Sequence, residues 1–137
     1  MTILVCTDFS AAAAVGEREA AERFPGAALV IFHGVSTGFV QKVVDRTGMD
    51  HHRLRDMMLG YADERLAEVI ARLRSQGRQA SAELAEGDPV DLALAAARRH
   101  AARLLVVGAA AGDAVGRFRT TLVRRARLPL LLVFGEE

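Results

Sequence analysis

Four continuous apolar runs punctuate the chain, and between them hydrophobic residues recur at helical spacing. The first run, Ile3-Leu4-Val5-Cys6, ends in Thr7-Asp8-Phe9-Ser10. Because it is continuous rather than alternating, it predicts a strand covered on both faces, as in a parallel sheet. Residues 11–24 are rich in Ala and Glu and predict a helix, with Asp8 or Ser10 as its cap and Pro25-Gly26 as its stop. Residues 27–33 (Ala-Ala-Leu-Val-Ile-Phe-His) form the second run, and Gly34 is expected to open a loop. Residues 36–48 are the least readable stretch. Gly38 and Gly48 bound a short amphipathic piece, Phe39-Val40-Gln41-Lys42-Val43-Val44, which fits a helical turn, a lid or a partner contact.

The second half is clearer. Leu54, Met57, Met58, Tyr61, Ala62, Leu66, Val69, Ile70 and Leu73 recur at three- and four-residue steps, one face of a long helix over residues 50–76 closed by Gly77. Residues 80–85 alternate weakly and predict a third strand. Asp88-Pro89 then reads as N-cap and first helical residue of a helix running to about His100. Leu104-Leu105-Val106-Val107 predicts a fourth strand ending at Gly108, followed by the glycine-rich stretch 108–116, a short basic helix over residues 117–125, and a last strand over 128–134. Strands alternating with helices imply a single α/β domain: a five-stranded parallel sheet with helices on both faces, Rossmann-like in architecture. In such sheets ligands sit outside the carboxyl ends of the strands, where strand order reverses. Thr7-Asp8, His33-Gly34 and the Gly108 stretch are therefore expected on one rim.

Composition narrows the class. With 137 residues, 51% of them hydrophobic and 26% charged, the chain suits one globular domain rather than a disordered segment. A net charge of +1 gives no reason to expect a nucleic-acid partner. No apolar run approaches the ~18 residues of a membrane span. Cys6 is the single cysteine, so an internal disulfide is impossible and a reducing, cytoplasmic setting is expected. The N-terminus has no basic region and reaches Asp8 early, unlike a signal peptide.

Candidate chemistry gathers at the predicted rim. Gly108, Gly112 and Gly116 recur every four residues directly after a strand, a context in which backbone N–H groups and a following helix N-terminus can receive a phosphate. Arg117 and Arg119 add positive charge at the exit, with Thr120 and Thr121 as hydroxyl donors. The pattern is neither a Walker loop nor GxGxxG, and a tight turn explains the glycines equally well. Asp8 can accept from a ribose hydroxyl or an adenine amino group, or it can cap a helix. Adjacent His51 and His52 point apart and cannot chelate together, while His33 ends a strand near the proposed cleft. No metal site or catalytic triad assembles.

Taken together, Ile3–Ser10, Glu86-Gly87-Asp88-Pro89, Leu104-Leu105-Val106-Val107-Gly108 and Leu128-Pro129-Leu130-Leu131-Leu132-Val133 resemble the universal stress protein family over nearly the whole chain. The resemblance implies one domain over residues 1–137 with an adenine nucleotide alpha hydrolase-like fold, and a homodimer built through the last strand, residues 130–134. It also implies two subclasses, one binding ATP or AMP (with Mg²⁺) and one not. In binding members Gly-x2-Gly-x9-Gly-Ser/Thr follows the fourth strand. By that likeness Thr7, Asp8, Gly34 and Val35 would receive base and ribose, and Val107, Gly108, Gly112, Gly116, Arg117, Thr120 and Thr121 the phosphate side.

This chain departs from the motif. Three residues rather than two separate Gly108 from Gly112. Counting back from Pro129 places Gly116-Arg117 on the family's Gly-Ser, whereas counting forward from Gly108 places Thr121-Leu122 there. Three functions stay open: a small nucleotide-binding regulatory module, a nucleotide-free dimerisation module, and a weak ATPase. The last lacks an evident general base, Asp113 being the only acid in the loop.

Overall fold

The computed structural model describes residues 1–110 and 117–135. Five strands, β1 (Thr2–Cys6), β2 (Ala28–Ser36), β3 (Ala80–Gly87), β4 (Leu104–Ala110) and β5 (Leu130–Gly135), alternate with α1 (Ala11–Arg23), α2 (Thr37–Thr47), α3 (His51–Ser75), α4 (Pro89–Arg99) and α5 (Arg117–Arg125). The sheet is parallel throughout, in the order β3-β2-β1-β4-β5. β1 is central, and Ile3, Leu4 and Val5 are wholly buried, as its unbroken apolar run requires. Ile3, Val5 and Ile31 point into a layer made with α1 and α3. Leu4, Phe32 and Leu105 point into the opposite layer, made with α4 and α5.

Local chemistry sets the helix ends. The Ser10 hydroxyl, not the Asp8 carboxylate, caps α1 by accepting from the Ala13 N–H at 3.1 Å. Asp88 caps α4 by accepting from the Asp91 N–H at 3.0 Å, with Pro89 in the first turn. At the far end of α1, the Arg78 guanidinium donates to the carbonyls of Ala21, Phe24 and Ala27. The Phe24 carbonyl also accepts from the Ala27 N–H at 3.0 Å, so Arg78 adds a second donor there and ties the end of α1 to the start of β2.

The third strand extends two residues past the sequence reading and the last begins two residues later; three further differences bear on the rim. Residues 36–48 are mostly a regular helix, α2. Ser36 caps it through the Phe39 N–H at 3.1 Å, and Gly48 ends it in the left-handed region at φ 69°. Gly34 does not open a loop, because β2 continues to Ser36 against β3. Gly108 does not end its strand, because β4 continues to Ala110 against β5.

The reason for a glycine at position 108 is packing. A Cβ built there would lie 2.1 Å from the Ala12 carbonyl oxygen and 2.9 Å from the Ala13 Cα. Gly16, one turn further along α1, meets the Gly108 backbone with a built Cβ at 3.2 Å. Two facing glycines let α1 lie backbone to backbone on β4.

The two edges of the sheet differ. On β3, Glu86 holds a bidentate pair with Arg55 of α3 at 2.5 and 2.7 Å, and Glu83 pairs with Arg99 and with His100, the latter at 2.8 Å. β5 reads Leu-Leu-Leu-Val-Phe-Gly and carries no charge, and Phe134 is 61% exposed.

Gly108→Ala is expected to lower stability by about 3 kcal/mol, because backbone rather than a yielding side chain stands in the way. Gly60→Ala, at an exposed α3 position with nothing near a built Cβ, is expected to raise it by about 1 kcal/mol. Urea unfolding midpoints measured side by side check the pair.

Candidate functional site

The crevice follows from unequal strand lengths. β1 stops at Cys6, paired with Phe32 on one side and Val107 on the other. Both neighbours run on, β2 through Gly34, Val35 and Ser36 and β4 through Gly108 to Ala110. A notch therefore stands over the carboxyl end of β1, between two overhanging strands. It lies where strand order reverses, the place where open α/β sheets receive ligands.

The ladder decides which backbone groups face the notch. Ala28 donates to Met1, and Phe32 accepts from Thr7 at 2.9 Å, whereas Leu29 donates to Gln79 beside β3. Even-numbered residues of β2 thus turn toward β1, which aims the N–H and C=O of Gly34 into the notch. On β4 the Leu105 N–H goes to Pro129 beside β5, so the alternation turns Gly108 toward β1, where the Cys6–Val107 register takes up its N–H and leaves its C=O at the notch. Val35 turns away: its backbone pairs with β3, and its buried side chain packs with Val40 and Leu54. Val107 is buried in the α4–α5 layer.

Thr7 and Asp8 form the notch floor and lip. The Thr7 side chain is buried, and its hydroxyl accepts from the Phe9 N–H at 3.0 Å. Asp8 is exposed, and one carboxylate oxygen accepts from the Ser10 N–H at 3.0 Å. The other oxygen has no partner among the described residues. Phe9 turns the chain from Asp8 into the cap residue Ser10 at φ 65°. Thr120 and Thr121 are half-buried one turn into α5, and neither hydroxyl has a described partner. Arg117 begins α5. Gly112 and Gly116 lie outside the described residues.

His33 stands at the rim as expected, but Phe9, Tyr61 and Arg65 beside it had not been assigned to the site from the sequence. Phe9 stacks on His33 with ring centroids 4.6 Å apart and meets the edge of Tyr61 at 6.0 Å. The Arg65 guanidinium sits 5.8 Å from the Phe9 ring centre and 5.7 Å from that of Tyr61. His33 Nδ1 lies 2.7 Å from the Thr7 carbonyl oxygen. A carbonyl only accepts, so Nδ1 carries the proton and, in the neutral ring, Nε2 is left as an acceptor.

Beneath Thr7 lies Glu17 of α1, only 4% exposed, whose carboxylate accepts from Arg72 of α3 at 3.0 Å. Burial pushes its pKa above the ordinary 4.5, opposed by the Thr7 hydroxyl and by Arg72. The Thr7 oxygen already accepts from Phe9, so its proton is free to donate toward Glu17. Cys6 is buried, and its thiol is pushed up to about 12, which makes it a packing residue rather than a nucleophile. Among the described residues no group of three His, Cys, Asp or Glu side chains could hold a metal ion. No described helix is long and apolar enough to cross a membrane. The rim offers backbone donors and acceptors, one carboxylate, one imidazole acceptor and an aromatic wall, a set suited to holding a polar planar ligand.

The fold is that of the doubly wound, Rossmann-like α/β proteins. A family model described as the universal stress protein family matches residues 1–133. Among solved structures, a universal stress protein family member from Burkholderia pseudomallei superposes with TM-score 0.79 at 27% identity, covering 96% of this chain and 94% of that one. An Arabidopsis thaliana family protein with AMP bound superposes with TM-score 0.68 at 17% identity, covering 98% and 90%. A universal stress protein from Archaeoglobus fulgidus in complex with dAMP gives 0.70 at 23% identity, covering 97% of each chain. A search of curated proteins finds no significant match. The chain belongs to the universal stress protein family.

A Glu17→Gln variant isolates the buried carboxyl. A folded-state pKa raised above 4.5 means that the folded protein keeps this proton longer than the unfolded chain. Wild type therefore loses stability relative to Glu17→Gln as pH rises from below 4.5 through the raised value. Urea unfolding of both proteins at pH values spanning that window is expected to show the variant gaining on wild type, and parallel curves would contradict the assignment.

Proposed function

We propose that this chain is a nucleotide-binding regulatory module of the stress response that holds AMP or ATP in the notch above β1. The observation that carries the reading is the overhang of β2 and β4, which leaves the N–H and C=O of Gly34 facing an open gap beside Asp8. An adenine edge offers one acceptor and one amino donor side by side, the complement of such a pair. The AMP and dAMP complexes of the similar Arabidopsis and Archaeoglobus proteins support the same ligand class.

In this reading Thr7, Asp8 and Gly34 surround base and ribose, Phe9 walls the base, and Val35 supports Gly34 from the core behind it. Val107 and Gly108 border the path to the phosphates. Gly112, Gly116, Arg117, Thr120 and Thr121 receive them, and Mg²⁺ arrives on the phosphates of ATP itself. The lone Cys6 supports a reducing, cytoplasmic setting.

Calorimetry with AMP and ATP, with and without Mg²⁺, tests the reading. Saturable heat is expected, weakened about tenfold by Asp8→Ala, the size of one lost charge-assisted hydrogen bond. Absence of heat at millimolar nucleotide would remove the ligand.

A second reading, a nucleotide-free interaction module, draws on the three-residue gap between Gly108 and Gly112 and on the uncharged β5 edge. Under either reading β5 is expected to pair with its copy in a second chain, covering Phe134 and the unpaired backbone of that edge. Light scattering at micromolar concentration is expected to report a dimer, and a monomer would contradict the pairing.

A further inference from the structure

A second concavity lies at the opposite edge of the molecule. α4 and α5 end at Arg99 and Arg125, just before β4 and β5 begin, and the Arg103 N–H bonds the Thr2 carbonyl at the start of β1. Between these helix ends is a hollow of about 740 Å³, the size range of small-molecule sites. Its lining divides by chemistry. Leu94 and Leu128 lie within it, and four arginines, Arg98, Arg124, Arg125 and Arg127, surround them.

The lining holds four arginines and no acid, although the whole chain carries only +1. Arg125 is paired with Asp91 at 2.7 Å, and Arg99, just outside the hollow, is paired with Glu83. Arg98, Arg124 and Arg127 have no hydrogen bond or ion pair to any described residue. Three unpartnered guanidiniums around an apolar hollow repel one another, and an anion seated among them removes that repulsion.

The geometry points to a phosphate monoester with an apolar body. A phosphate carries about −1.5 to −2 charge and three acceptor oxygens, enough for two or three guanidinium forks at once. A carboxylate has two oxygens and a single charge. Leu94 and Leu128 have no use for a bare inorganic anion, and a hollow of this volume suits a small molecule better than a polyanionic strand. We propose that the α4–α5 hollow binds an amphiphilic phosphate monoester, its phosphate held by Arg98, Arg124 and Arg127 and its apolar body lying on Leu94 and Leu128.

Octyl phosphate below its micelle concentration is the probe, read by calorimetry. Wild type is expected to bind it saturably, and an Arg98→Gln/Arg127→Gln double variant to bind at least about tenfold more weakly. These positions are exposed, and an unchanged circular dichroism spectrum shows that the variant is folded. Inorganic phosphate and octyl glucoside, each carrying half of the chemistry, are expected to bind more weakly than the probe. Sedimentation with phosphatidic acid vesicles assigns the phosphate to a lipid headgroup; saturable octyl phosphate binding without sedimentation assigns it to a free metabolite. Absence of octyl phosphate binding, equal binding by the double variant, or equal binding of octyl glucoside would overturn the proposal. AMP titration is a separate measurement at the other edge, so failure of the nucleotide reading and failure of this one are distinguishable.

Discussion

The contact on which the molecule depends is backbone against backbone: Ala12 and Gly16 of α1 lying on Gly108 of β4. It fixes how far α1 stands from the sheet and how high its first turn sits. Ser10 must then cap the helix at that height, Phe9 must turn through a positive φ to reach it, and β1 must stop at Cys6. The notch above β1 is a consequence of this close approach. So is the seating of Glu17, carried by the same helix one residue after Gly16, beneath the Thr7 side chain. Packing and site share the same few residues, and a change at the contact reaches both.

The legible parts of the sequence were those governed by short-range chemistry. Asp88-Pro89 reads as a helix start because cap and proline act within one turn, and the structure has it there. The buried central strand was legible because an unbroken Ile-Leu-Val run fits little else. Gly34 and Gly108 misled for a common reason: glycine inside a strand reads as a break. At Gly108 the residue instead admits a neighbouring backbone, a demand set by α1 ninety-odd positions earlier in the chain. α2 was present in the sequence as Ser36, Val40, Val43, Val44 and Gly48, but only Val40 is fully buried, so its apolar stripe is narrow.

The site was half legible. Thr7, Asp8, Gly34 and Gly108 were placed on one rim by topology alone, and the structure brings these four together. Phe9 comes from the β1–α1 turn and Tyr61 and Arg65 from α3, and only the folded chain sets them beside His33. Glu17 left a trace that could have been followed. It stands in the stripe Ala12, Ala13, Gly16, Ala20 as the one carboxylate among small buried residues, an arrangement that calls for a partner from another element.

The unlike edges of the sheet limit how this protein can self-associate. β3 is guarded by ion-paired glutamates, while β5 is bare of charge. A sheet with two open sides can add copies indefinitely and grow into a fibre. One with a single uncharged side would be used up by its first partner, so pairing through β5, as proposed above, would leave no second edge for lateral growth.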